Sequence, residues 1–140
     1  MPKTTKDGKA KQSELPSTLQ RSSRKAQQTF AETYDSAIET YDGDERRAHQ
    51  TAFASLKHTH EKVGDHWEGK DDYGPSDVRV EQGGRNSRPT AGGVDANASK
   101  AHLYELATRL GVTGRSRMTK TELVDALQKA NDRSSARARR

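Results

Sequence analysis

Apolar residues recur along the first half of this chain with a helical spacing. They fall at Ala26, Phe30, Tyr34, Ala37, Ile38 and Tyr41, at intervals of four, four, three, one and three. Such a stripe is one face of an amphipathic helix. Ser22 or Ser23 can cap it, with a side-chain oxygen accepting from an early backbone N–H. A shorter helical turn precedes it, with Leu15 and Leu19 four apart and Pro16 in the first turn, where no N–H is needed. Asp42-Gly43-Asp44 breaks the pattern. Gly43 suits the left-handed residue past a helix end, and Asp44 suits the cap of the next helix. The second helix predicted here carries Ala48, Ala52, Phe53, Leu56, His60 and Val63 on one side, and Gly64 ends it. Trp67 follows in a polar setting and is expected to fold back onto the helix pair.

The pattern fades between residues 73 and 98. Five glycines, two prolines and isolated valines predict a flexible linker. Val78-Arg79-Val80 alternates but is too short to stand alone as a strand. Helical spacing returns at Ser99, which caps a helix bearing Leu103, Leu106, Ala107 and Leu110 on one face, ended by Gly111. Val112 and Met118 are the apolar points of an extended loop that turns at Gly114. Thr119-Lys120-Thr121-Glu122 has the form of a capping box. It opens a last helix that buries Leu123, Val124 and Leu127. Residues 1–12 and 131–140 offer almost nothing to bury and are expected to be a disordered basic arm and a disordered basic tail. The resulting organisation is an arm at 1–12, a helical domain at 13–72, a linker at 73–98, a helix–loop–helix module at 99–130 and a tail at 131–140. The expected fold class is all-α.

Composition agrees with small units rather than one large core. Only 29% of the 140 residues are hydrophobic, while 32% are charged. No apolar run reaches the roughly 18 residues of a membrane span, and the N-terminus lacks the apolar centre of a signal peptide. Without cysteine, neither a disulfide nor a thiolate metal site can form. These features fit a cytoplasmic protein. The net charge of +5 is uneven: residues 13–72 carry eight basic against twelve acidic side chains, whereas residues 98–140 carry ten against four. Such asymmetry points to polyanionic partners.

Two stretches resemble known families. Ser13-Glu14-Leu15-Pro16, the Phe30…Tyr34…Ala37-Ile38…Tyr41 helix, the acidic break, Thr51-Ala52-Phe53-Ala54…Leu56-Lys57 and Trp67 follow one another as they do in the ChaB family, bacterial proteins named as cation transport regulators. The family usually shows Ala-Trp pairs where Ala37-Ile38 and Ala52-Phe53 stand here. This resemblance covers roughly residues 13–70 and implies a compact helical fold. The family name implies regulation of a cation/proton antiporter, although no residue here explains transport. Residues 100–130 resemble the N-terminal domain of transcription termination factor Rho, related to SAP-type modules. The matching residues are Leu103-Tyr104-Glu105-Leu106-Ala107, Leu110-Gly111-Val112, Gly114-Arg115-Ser116-Arg117-Met118, Lys120-Thr121-Glu122-Leu123 and Ala126-Leu127. Rho's RNA-binding and ATPase parts have no counterpart, so this resemblance does not imply termination activity.

The candidate chemistry is binding. Arg115, Arg117 and Lys120 surround the loop and the start of the last helix, where guanidinium groups, free amides and the helix dipole could all meet a phosphate. Lys100, Arg133, Arg137, Arg139 and Arg140 could extend that track. Contacts of this kind give salt-dependent affinity for a DNA or RNA backbone without reading sequence. The plain alternative is a solvated basic surface. His58 and His60 lie two apart and so diverge on a helix, and no HExxH spacing occurs. Asp42, Asp44, Glu45, Asp65, Glu68, Asp71 and Asp72 lack the alternating ligand pattern of a calcium loop. No nucleophile elbow, Walker-type glycine loop or cysteine nucleophile is present.

The expected protein is therefore a non-enzymatic nucleic-acid-binding accessory protein, linked to transcription, with no cofactor or metal. Its ChaB-like domain would hold an unknown protein partner. The alternative is a regulator of a cation/proton antiporter acting through that domain. The sequence sets no oligomeric state.

Overall fold

The computed structural model describes residues 3–4, 10–71, 73–75 and 92–138. A 3-10 turn at Gln12–Glu14 leads into α1 (Ser17–Gln20), α2 (Arg24–Thr40) and α3 (Glu45–Thr59). Each start follows local chemistry. The Ser23 side chain accepts from the Ala26 amide at the head of α2, and Asp44 accepts from Arg47 at the head of α3. Asp42 and Gly43 both take left-handed φ, 53° and 83°, which reverses the chain between the two helices. The apolar stripes then meet. Leu15, Leu19, Ala26, Phe30, Ala31, Tyr34, Ala37, Ala48, Ala52, Leu56 and Trp67 form one buried cluster. The five alanines of that cluster, three on α2 and two on α3, let the backbones approach, and the Phe30 and Phe53 rings pack edge to face with centroids 4.8 Å apart. Gln27, buried on α2, donates to the Leu19 carbonyl at 2.9 Å and so ties α1 down.

The helical stripe of α3 outlasts the helix. His60 and Val63 continue the spacing, yet α3 ends at Thr59, and His60–Val63 (β1) pairs antiparallel with His66–Gly69 (β2). The all-α expectation is therefore corrected to a largely helical fold with a two-stranded sheet. Gly64-Asp65 forms a two-residue hairpin loop, and Gly64 at φ 68° supplies the left-handed residue that such a loop needs first. Tertiary contacts hold the short ladder. Trp67 swings into the first core, as expected, and its backbone N–H donates to Ser22 Oγ at 2.8 Å.

The other face of the hairpin meets the C-terminal part of the chain. Lys100–Arg109 forms α4, Arg115–Arg117 a 3-10 turn and Lys120–Ala138 the long helix α5. Ser99 caps α4, accepting from His102. At α5 the capping box forms: Thr119 N–H donates to Glu122 at 3.0 Å, and Glu122 N–H donates to Thr119 Oγ1 at 3.2 Å. Leu103, Leu106, Ala107, Val112, Leu123, Leu127 and Ala130 form a second core together with Val63 of β1 and Val94.

Helix α5 does not stop at Ala130. Where a disordered tail is predicted from Asn131, the helix runs on to Ala138, with Asn131 and Ser135 buried. The cause is polar. Asn131 Oδ1 accepts from Gly64 N–H at 2.6 Å, its amide donates to the Lys62 carbonyl at 2.9 Å, and Ser135 Oγ donates to the Gly64 carbonyl at 3.3 Å. The last two turns of α5 thus satisfy the backbone of the hairpin turn, whose buried groups would otherwise lack partners.

Much of the expected linker, residues 76–91 with Val78-Arg79-Val80, lies outside the described residues. Its end packs against the hairpin: the Gly93 carbonyl accepts from Lys62 N–H at 2.9 Å, and Val94 is buried. Of the predicted basic arm, residues 1–2 and 5–9 lie outside the described residues. Lys3 and Thr4 both donate backbone N–H groups to the Asp35 carboxylate on α2.

Candidate functional site

The basic residues singled out from the sequence do not converge on one cradle. Arg115 turns inward: its Nη1 donates to the Val112 carbonyl at 2.9 Å, its guanidinium lies 5.6 Å from the Tyr104 ring centre, and its Nε is buried without a hydrogen-bond partner. The positive end of α5 is already met by the chain's own Glu122 carboxylate, which bonding to Thr119 holds below the ordinary carboxylate range. An anion arriving there would have to displace a like charge. Arg117, Lys120 and Lys100 are exposed. Arg133 and Arg137 are exposed and one turn apart on α5, but thirteen residues at about 100° each put Lys120 well round the helix from Arg133. Arg139 and Arg140 lie outside the described residues.

A denser set of charges sits at the seam between the hairpin and α4. Glu61 on β1 and Glu68 on β2 are direct cross-strand partners, a like-charge juxtaposition that disfavours pairing unless it is neutralised. Helix α4 neutralises both. His102 and Arg109, seven residues apart, share one face of it. His102 Nε2 lies 3.0 and 2.9 Å from the two Glu61 oxygens. Arg109 donates to both Glu68 oxygens, at 3.1 and 2.8 Å. Glu61 is deep, with 5% of its side chain exposed. Burial raises its pKa, opposed by the neighbouring His102. The Arg109 hydrogen bonds, with help from His66, hold Glu68 down at about 2.

The seam extends on either side. At the turn, His66 contacts Asp65 at 3.0 Å and Glu68 at 2.8 Å, and these bonds raise its pKa against the opposing effect of burial. At the far end, Lys70 is almost fully buried. It donates to the carbonyls of Lys57 and Gly74 and faces Asp95 at 3.5 Å. A cavity of about 430 Å³ opens here between Glu61, Lys70, Tyr73, Asp95, Ser99 and His102.

Sequence spacing alone does not bring the members of this seam together. Asp65 and Glu68 stand among the metal candidates, as do His66 and Glu61 beside His60, whereas Lys70, His102, Arg109 and Asn131 carry no expected role. The usable signal was Val63-Gly64-Asp65-His66, since a Gly-Asp pair between β-tolerant residues marks a two-residue hairpin. His58 stays on α3 while His60 falls on β1, buried, with Nδ1 2.7 Å from Thr59 Oγ1. Asp44 serves as a helix cap. Among the described residues, no three His, Asp or Glu side chains are grouped to hold a metal ion. No described helix is long and apolar enough to cross a membrane.

Comparison with known proteins bears on the first unit. No curated protein and no solved structure matches the chain. Nothing in these comparisons supports the likeness of residues 99–130 to the Rho module. Residues 15–70, from the buried Leu15 ahead of α1 to Lys70 after β2, match the ChaB family model, which spans the helical unit and its hairpin.

Proposed function

We propose that this protein is a non-enzymatic regulator of the ChaB type, acting through macromolecular contacts of its 15–70 unit and linked to cation transport. The match of that unit to the ChaB family carries the reading. Its surroundings support it. The charged groups of the seam are paired with one another. Arg24 and Lys25 make the start of α2 basic, whereas the exposed surface of its second half and the α2–α3 turn is acidic, with Glu32, Glu39, Asp42, Asp44 and Glu45 against Arg46. That surface suits a basic protein face, such as the cytoplasmic side of a transport protein, and disfavours direct approach to nucleic acid.

A second reading, backbone contact with DNA or RNA, rests on the exposed Lys100, Arg117, Lys120, Arg133 and Arg137. One experiment separates the two. Cells expressing the full chain are crosslinked and fractionated, with and without nuclease, for wild type and for Arg117→Glu/Lys120→Glu/Arg133→Glu. The regulator reading expects recovery with membranes, unchanged by nuclease and by the triple substitution. Recovery with nucleic acid that both treatments abolish would replace it. Point substitutions are the better tool here, because deleting residues 99–140 would uncover Val63 and the hairpin turn and damage the 15–70 unit itself.

A further inference from the structure

We propose that the slot on α2 holding Lys3 and Thr4 is a receptor site for an extended segment of a partner protein, one in which a lysine is followed by threonine or serine. The chain's own N-terminal arm is the resident competitor. The proposal rests on the acidic α2 surface being the partner face, and it names the segment that this face takes. The seated dipeptide shows the recognition atom by atom. The Asp35 carboxylate accepts from two successive backbone N–H groups, Lys3 on Oδ1 at 2.6 Å and Thr4 on Oδ2 at 3.1 Å. That grip reads backbone, whatever the side chain. Thr4 Oγ1 donates to the same Oδ2 at 2.6 Å, which selects a hydroxyl. Lys3 Nζ donates to the Glu14 carbonyl at 2.9 Å and stands 4.3 Å from the Tyr34 ring centre, so a dipole and a π face meet the ammonium together. With Lys3 only 8% exposed, the side chain is lodged and not merely laid on the surface.

Two features separate this slot from ordinary internal packing. The arm is held by polar atoms. Among its described residues, Ala10 is the only apolar side chain packed against the first core, so release of the arm breaks polar contacts and opens little of that core. The groove also continues past the arm. A cavity of about 560 Å³ runs from Thr4 along Tyr34, Asp35, Ile38, Glu39, Gly43 and Glu45. Glu39 and Glu45 are exposed there and Ile38 is half-buried. Burial, and then the Glu45, Asp35 and Glu14 carboxylates, raise the pKa of the Tyr34 hydroxyl, so three negative groups converge on the place where the ammonium sits. A tethered arm competes at a high effective concentration, on the order of millimolar. A longer basic segment overcomes that advantage by adding contacts to Glu39 and Glu45, which the seated dipeptide leaves open to solvent.

An NMR titration of the full chain tests the slot, with a synthetic peptide of residues 1–11 as the probe. In the chain, Lys3→Glu repels the arm and leaves the slot intact. The wild-type peptide then shifts the amide signals of Tyr34 and Asp35. The wild-type chain, its slot filled, binds the same peptide about tenfold more weakly. Peptides carrying Lys3→Gln or Thr4→Val, and a scrambled peptide of equal charge, each bind the Lys3→Glu chain about tenfold more weakly than the native peptide. Adding Asp35→Ala to that chain abolishes binding. No shift in the Lys3→Glu chain at millimolar peptide overturns the assignment. So does equal binding by the wild-type chain, by any altered peptide or by the double variant. Should Lys3→Glu not fold, Lys3→Ala, which leaves no cation to lodge, serves the same titration. No membrane or nucleic acid enters the sample. Failure here leaves the fractionation outcome standing, and recovery with nucleic acid in cells leaves the peptide result standing, so the two failures are told apart.

Discussion

The two cores of this molecule are built from different material. The first is aromatic and alanine-lined: Phe30, Tyr34, Phe53 and Trp67 interlock with His49, in ring contacts of 4.8 to 6.4 Å, between helices that alanines let come close. Its centre is closed by α1, α2, α3 and one face of the hairpin. The second is aliphatic, and its own helices do not close it. Leu103, Leu106, Leu123 and Leu127 need Val63 and Val94, and the turn of the hairpin needs Asn131 and Ser135. The contrast teaches that the hairpin is a shared wall. The first unit uses it as a lid, and the second depends on it as a floor.

The strongest test of the contrast is to empty each core in turn. Phe30→Ala removes a side chain with no exposed surface, and a loss of about 3–5 kcal/mol is expected, enough to unfold much of a small unit. Urea denaturation followed by far-UV circular dichroism measures it, and both cores should be lost together because the lid goes with the first. Leu127→Ala, 1% exposed, should cost about 2–5 kcal/mol but fall mainly on the second core. Protection of α2 amides against exchange should survive it; if α2 opens as readily as α5, the dependence runs both ways and the lid-and-floor asymmetry fails.

A smaller effect probes the wall itself. A Cβ on Gly93 would stand 2.7 Å from the Trp67 ring and 2.9 Å from Lys62 Cβ, at a φ of 99° that side chains avoid. Gly93→Ala should therefore cost about 1–3 kcal/mol through overpacking, read as a lowered thermal midpoint, whereas an open surface glycine such as Gly111 should tolerate Ala far better on space, its φ of 71° still charging some strain. The least effect concerns acid. Glu68 is depressed to about 2 in the folded chain from an ordinary 4.5, so its contribution is present above 4.5 and is lost as pH falls toward 2. Glu68→Gln should therefore lie below wild type above about pH 4.5 and converge with it as pH falls toward 2, by a small margin because Arg109 is half exposed and such pairs contribute little.

Local chemistry was legible in the sequence; long-range chemistry was not. Ser23, Asp44, Ser99 and the Thr119–Glu122 box all cap where their residue types predict, because a cap is decided within four residues. Trp67 folds back as expected, since a lone large apolar side chain has few places to go. Strand β1 carries the spacing of a helix because His60 and Val63 happen to continue the stripe from Leu56, and a four-residue strand leaves little periodicity to set against it. Asn131 reads as a helix stop by type, yet its partners at Lys62 and Gly64 lie 69 and 67 residues away. The seam was invisible for the same reason: Glu61 and His102 are 41 residues apart, and neither is unusual until both are seen on facing elements.

Trp67 is the chain's one tryptophan, and it stands in the shared wall. On one side its indole meets Phe53, with ring centres 6.0 Å apart; on the other its ring edge lies against Gly93, at the entry to the second core. The molecule thus carries its own optical gauge. A single emission band, without any label, registers solvent reaching the wall from either side, and the order in which its wavelength and its intensity change on warming tells which side opened first.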